Sequence, residues 1–209
     1  MKRLLTAAIF LAALFGCTSP QEYASPYAAP RAAVRLLDTS AGNGSGVVIA
    51  PGLVLTAAHA AVEVENGLLA EPGAKPLKVL KIDKTLDLAV LQADVKCPCA
   101  KIADSPAAVD EPVIVIGYPH ASAVKHEIVT QGRAQGVSDH NLNLTAPVAG
   151  GNSGGGVFVY RSGEWQLVGV LIATRAGAVE SPGPRYAASI VLSVAVDLAT
   201  VRGFLKGVA

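Results

Sequence analysis

Three residue types that cooperate in nucleophilic catalysis stand at separate points of this chain. His59 closes Thr56-Ala57-Ala58-His59, Asp87 precedes Leu88-Ala89-Val90-Leu91, and Ser153 lies within Gly151-Asn152-Ser153-Gly154-Gly155. A serine hydroxyl is a poor nucleophile at neutral pH. An imidazole that takes its proton during attack, and returns it to the leaving group, makes it a competent one. A carboxylate behind the imidazole fixes its tautomer and stabilises the imidazolium that forms. Singly, each segment has a plainer reading: a glycine-rich turn, a satisfied core histidine, an aspartate opening a strand. The inference rests on all three occurring together in the order His, Asp, Ser.

Such residues must be brought together by the elements that carry them, and the rest of the chain reads as β-rich. Gly46-Val47-Val48-Ile49-Ala50 and Leu53-Val54-Leu55-Thr56 are short apolar runs joined across Pro51-Gly52, which predicts a tight hairpin ending just before His59. Leu86, Leu88 and Val90 fall on one face of a predicted strand, and Asp87, Ala89 and Leu91 on the other. Further strands are predicted over 113–117, 131–137, 156–160, 166–173 and 186–192. A parallel sheet would need helices between them, and the sequence supplies almost none. The expected fold is all-β: two six-stranded antiparallel β-barrels over about 32–100 and 101–192, split near 96–110. Ser193 is the predicted cap of a closing helix over 193–206, with Val194, Leu198, Val201 and Leu205 along one stripe.

The chain has 209 residues, 51% of them hydrophobic, and a formal net charge of +1. It is long enough for a sizeable core in one domain built of two halves, and its charge pattern gives no reason to expect a nucleic-acid partner. Lys2 and Arg3 precede an apolar run from Leu4 to Phe15, which Leu14-Phe15-Gly16-Cys17 closes. This resembles a bacterial lipoprotein signal over residues 1–17, with Cys17 as the lipid-bearing residue. The run is shorter than the roughly 20 residues that span a bilayer. Residues 18–31, with Pro20, Pro26 and Pro30, read as a flexible tether of about 40 Å at full extension. The expected location is the periplasmic face of a bacterial envelope, with Thr18 favouring the outer membrane; ordinary signal cleavage would instead release a secreted protein. Cys97 and Cys99 flank Pro98, and either close a short-range disulfide or pack as thiols.

Gly44-Ser45-Gly46, Leu55-Thr56-Ala57-Ala58-His59, Asp87-Leu88-Ala89-Val90-Leu91, Ile116-Gly117-Tyr118-Pro119 and Gly151-Asn152-Ser153-Gly154-Gly155 together resemble the trypsin-like serine proteases. The resemblance is to the bacterial branch containing HtrA/Deg-like and glutamyl-endopeptidase-like enzymes, and it covers nearly all of the chain after residue 31. It implies a chymotrypsin-like fold and a serine endopeptidase acting on protein or peptide substrates through an acyl-enzyme. His59 would be the general base, Asp87 its orienting carboxylate and Ser153 the nucleophile, with the backbone N–H groups of Gly151 and Ser153 as the oxyanion hole and no metal or organic cofactor. The substrate pocket would be lined by Pro147, Val148, Leu171, Ile172 and Ala173. No acidic residue stands there, and no histidine near Leu171, so an apolar pocket for small or aliphatic side chains is expected.

Departures from the family pattern carry their own expectations. No Ile-Val-Gly-Gly precedes Gly44, so activation by burial of a new amino terminus is not expected. Gly154 to Ala209 suffices only to finish a barrel and a helix, so no peptide-binding PDZ domain is expected. Gly156 stands where the family commonly has proline, which questions local rigidity. Some viral relatives build a zinc site on a Cys-x-Cys between the barrels. Here no later cysteine exists, and zinc would have to recruit two of His120, His126 and His140 or a carboxylate. Two other functions fit the same residues: a catalytically silent protease fold serving as an envelope binding or scaffold module, or an esterase or dedicated processing enzyme.

Overall fold

The apolar runs either side of Pro51-Gly52 do form a hairpin. In the computed structural model, which describes residues 25–39, 42–62, 68–69, 77–120, 126–179 and 188–208, β2 (Gly42–Ala50) pairs antiparallel with β3 (Leu53–Thr56). Gly52 takes φ 80° in the turn, a conformation that favours glycine. They belong to a six-stranded antiparallel sheet with β1 (Val34–Thr39), β4 (Leu68–Leu69), β5 (Lys78–Asp83) and β6 (Leu88–Gln92), in the order β4-β1-β2-β3-β6-β5. Thr56 pairs with Ala89 across β3 and β6. Because these strands run antiparallel, the residues that follow β3 and those that precede β6 meet at one end of the sheet.

The second sheet contains β8 (Pro112–Gly117), β9 (Ile128–Ser138), β10 (Asn141–Leu144), β11 (Gly156–Arg161), β12 (Glu164–Val179) and β13 (Ala188–Asp197). Its order is β11-β8-β9-β10-β13-β12, and pairing of β11 with β12 closes it into a six-stranded antiparallel barrel. The short β7 (Lys101–Ile102), in the link between the halves, adds to β12 in parallel. The two halves share one apolar interface. Val47, Leu55, Leu88 and Val90 of the first pack with Ile114, Ile116, Phe158, Leu167, Val170 and Val196 of the second. On β6 the alternation read from sequence holds: Leu88 and Val90 face that interface, while Ala89 and Leu91 join the first sheet's own cluster with Leu37, Val48 and Val54.

Three expectations are corrected. Asp87 is not on the strand: it is a turn residue with φ 53°, and β6 begins at Leu88. Ser193 does not cap a helix. The apolar run continues β13 through Val196, paired to β12 from Val179↔Ala188 to Gly169↔Asp197, so the sheet ladder consumes the first turn of the predicted helix. The closing helix α3 is Leu198–Leu205, and its cap is Asp197, whose carboxylate accepts from Ala199 N at 2.8 Å and Thr200 N at 3.3 Å. Leu198, Val201 and Phe204 form its buried stripe, and Lys81 of β5 donates to Phe204 O at 2.6 Å.

The tether is the third correction, because its last residues are docked. A short helix, α1 (Ala28–Ala33), buries Pro30 and Ala33, and Tyr27 meets Trp165 edge-on with ring centroids 5.6 Å apart. Trp165 Nε1 donates to Pro26 O at 2.9 Å, and Arg31 pairs with Glu127 at 2.7 Å. An aromatic ring and a proline with a surface to cover outweigh the chain entropy of a free linker. The signal segment, Cys17 and residues 18–24 lie outside the described residues.

Candidate functional site

The corner where β3 ends and β6 begins holds a histidine and a carboxylate in direct contact. His59 sits in α2 (Ala58–Val62), directly after Ala57. One Asp87 oxygen accepts from the His59 backbone N–H at 2.9 Å, and the other accepts from His59 Nδ1 at 2.7 Å. The Asp87 carbonyl accepts from Ala58 N at 3.1 Å. The left-handed turn at Asp87 thus lets one residue secure the start of α2 and the imidazole together. A carboxylate can only accept, so the Nδ1 facing it carries the proton. The His59 side chain is 51% exposed and that of Asp87 26%, which leaves the imidazole edge reachable.

Ser153 comes from the other half, and its turn is pressed against the strands that lead to His59. Ser45 of β2, fully buried, donates its N–H to Ser153 O at 2.8 Å and its hydroxyl to Gly151 O at 2.8 Å, while accepting from Tyr118 N at 2.8 Å. Thr56 Oγ1 donates to Ser45 O at 2.7 Å. Gly154, at φ 83°, fills the remaining gap: a Cβ there would lie 2.0 Å from Ser45 O and 2.1 Å from Thr56 Oγ1. On its far side the turn is tied to β12, Gly154 N donating to Leu171 O at 2.7 Å and Leu171 N to Gly155 O at 2.8 Å.

The peptide before Gly151 has a fixed orientation. His120 N donates to Gly150 O at 2.8 Å, and in a trans peptide the following N–H points the opposite way. Gly151 adopts φ 91°, and a Cβ there would come within 2.3 Å of His120 Cδ2. Among the described residues, no protein acceptor takes the N–H of Gly151 or of Ser153. The His120 ring reaches Asn43 O through Nε2 at 2.5 Å, and Asn43 Nδ2 donates to Tyr118 O at 2.7 Å. His120, Asn43 and Ser45 therefore link β2 to the glycine turn. Their roles had no sequence signature, because each acts through hydrogen bonds to main chain distant in sequence.

Of the proposed pocket residues, Pro147 and Val148 line a cavity of about 310 Å³ with Thr130, Ala149 and Asn152. Leu171 does not belong in it: it is 2% exposed and packs into the second barrel's core with Leu144 and Val157. Ile172 packs in part against the shared interface and Ala173 is exposed, at a register shift in the β12–β13 pairing. Gly156 is accounted for by Phe158, whose ring would lie 2.4 Å from a Cβ at that position. Cys97 and Cys99 are joined in a disulfide, so neither offers a thiolate to a metal. His140 Nδ1 contacts Thr200 Oγ1 at 3.1 Å. No group of three possible metal ligands occurs among the described residues. Hydrogen bonding to Arg161 holds Glu111 below the ordinary carboxylate range, and Lys101 does the same to Glu164.

Comparison with known proteins gives one family and one fold. The family model described as trypsin-like peptidase domain matches residues 44–170, a span that contains His59, Asp87 and Ser153. The chain resembles the crystal structure of Rv3671c protease in its inactive form at 24% identity and TM-score 0.64, covering 86% of this chain and 90% of that one. The active form from M. tuberculosis gives 23% identity and the same TM-score, over 85% and 81%. A serine endoprotease from Yersinia pestis gives 22% identity and TM-score 0.68, over 88% and 67%. No curated protein matches the sequence significantly.

Proposed function

Because this chain belongs to the trypsin-like peptidase family of serine endopeptidases, we propose that it cleaves peptide bonds with Ser153 as nucleophile, His59 as general base and Asp87 as the orienting carboxylate. The observation that carries this reading is the two-point hold of Asp87 on His59, at 2.9 Å and 2.7 Å, which fixes the ring and keeps Nδ1 as its donor. As Ser153 Oγ attacks the scissile carbonyl, His59 takes the hydroxyl proton and Asp87 stabilises the imidazolium. The N–H groups of Gly151 and Ser153 receive the oxyanion, each such donor being worth about 10²–10³ in rate. His59 then delivers its proton to the leaving amine. Water, deprotonated by the same imidazole, hydrolyses the acyl-enzyme and restores the serine. Val148 and Pro147 support an apolar primary pocket.

The amino terminus adds a location to this proposal. Cys17 carries lipid at the periplasmic face of an envelope membrane, and the docked segment from Ser25 sets where the tether ends. Two experiments test these parts separately. Hydrolysis of a peptide library should be abolished by Ser153→Ala and should decline as pH falls through the range where imidazoles take up a proton. Full activity in that variant would remove the assignment. Cys17→Ser should shift the protein from the membrane to the soluble fraction, and unchanged fractionation would refute lipid anchoring.

A further inference from the structure

The link between the two halves contains the Cys97–Cys99 disulfide, whose ring encloses Pro98 alone and whose Cα atoms are 4.5 Å apart. Cys97 and Pro98 are exposed and Cys99 is half-buried. Closing a loop of one residue removes little freedom from the unfolded chain. The link is also held without it. Gly52 N donates to Val95 O at 2.8 Å, Ala93 N to Gly52 O at 3.0 Å, and Ala100 N to Val48 O at 2.7 Å. The disulfide is therefore dispensable for holding the link in place and open to attack from solvent, the setting in which such bonds exchange most readily.

A cavity of about 470 Å³ adjoins it, lined by Pro26, Pro30, Cys99, Lys101, Tyr160 and Trp165. Its aromatic wall is set by ring contacts, Tyr160 to Trp165 at 5.1 Å and Tyr27 to Trp165 at 5.6 Å. Lys101 is paired with Glu164, so the charges at the rim are balanced. A seat that combines prolines, aromatic rings and Cys99 of the disulfide suits a cysteine carried next to apolar side chains in a polypeptide segment.

We propose that Cys97–Cys99 is a thiol–disulfide exchange site that passes its disulfide to a dithiol polypeptide seated in this cavity. A thiolate of the polypeptide attacks Cys99 Sγ, the sulfur that lines the cavity, and the Sγ–Sγ bond breaks with its electron pair leaving on the exposed Cys97, which takes up a proton. The polypeptide's second thiolate attacks its own sulfur in the mixed disulfide and expels Cys99 as thiolate. One dithiol is oxidised by two electrons and the Cys97–Cys99 pair is reduced by two. The site stands independently of Ser153.

The test uses the full chain with Cys17→Ala, so that only this pair can react. The oxidised protein is mixed with a reduced two-cysteine peptide flanked by leucine and phenylalanine, or with glutathione at equal thiol concentration, then alkylated and weighed. The pair should become reduced in the folded protein, about tenfold faster with the peptide than with glutathione, without change in circular dichroism. Trp165→Ala should erase the peptide's advantage and leave the glutathione rate intact. The Cys97→Ser variant, given the peptide as its disulfide, should accumulate a mixed disulfide at Cys99. A pair that reacts only after unfolding, or a peptide no faster than glutathione, overturns the proposal. Ser153 labelling in the same samples reports on the protease reading separately.

Discussion

The Ser153 turn and the His59–Asp87 corner solve the same positioning problem by different means. The turn is held by main-chain bonds and by glycines with no room for a Cβ. The corner is held by one side chain, Asp87, whose two oxygens engage the ring and the backbone of His59. The difference follows from what each must offer. An oxyanion site is made of backbone N–H groups, so its geometry has to be built into φ and ψ. A general base needs only its tautomer and direction set, which a carboxylate can do. Damage to the first should spread to the fold, and damage to the second should stay in the rate.

The sharpest way to break that contrast is Gly154→Ala. Its Cβ would strike Ser45 O and Thr56 Oγ1, at a φ that L-residues rarely adopt. We expect activity to vanish together with about 2–5 kcal/mol of stability, read by chemical denaturation. Asp87→Asn should instead keep a folded domain and lose about 10³–10⁴ in kcat, since an amide N–H facing Nδ1 moves the proton to Nε2. A loss of stability as large as that of Gly154→Ala would erase the distinction between the two regions.

His120→Ala lies between them, because it removes a ring from the face of Gly151 but spares the main-chain bond to Gly150 O. A fall of about tenfold in kcat with KM nearly unchanged is expected from a loosened oxyanion donor. The smallest effect concerns neither region. Glu111 accepts two bonds from Arg161, at 2.7 Å and 2.5 Å, and one from Ala108 N at 2.9 Å. Its depressed pKa means that its stabilisation is present above the ordinary glutamate value of about 4.3 and is lost as pH falls through the folded value. Glu111→Gln should therefore cost about 1–2 kcal/mol at neutral pH and almost nothing in strong acid, with unaltered kcat.

What could be read from residue order was whatever depends on local pattern. The Pro51-Gly52 hairpin, the two-faced strand after Asp87 and the glycine turn around Ser153 all follow from spacing and residue type. Interactions between distant segments were hidden. The ladder that β12 extends to Asp197 displaced the predicted helix cap from Ser193, and Trp165 converted the end of a proline-bearing tether into a docked segment. Leu171 was misplaced for a similar reason: its side chain turns into the second barrel's core against residues distant in sequence. His120 was visible only as one of three histidines that a zinc site would have to draw on, until the fold set it against Gly151.

Covalent labelling with a serine-directed fluorophosphonate requires nucleophile, base and oxyanion donors at once and needs no knowledge of the substrate. One label per chain is expected at Ser153, absent in Ser153→Ala and strongly slowed in His59→Ala. A folded wild-type protein that takes no label, or takes it equally well without His59, would contradict the assignment of these two residues.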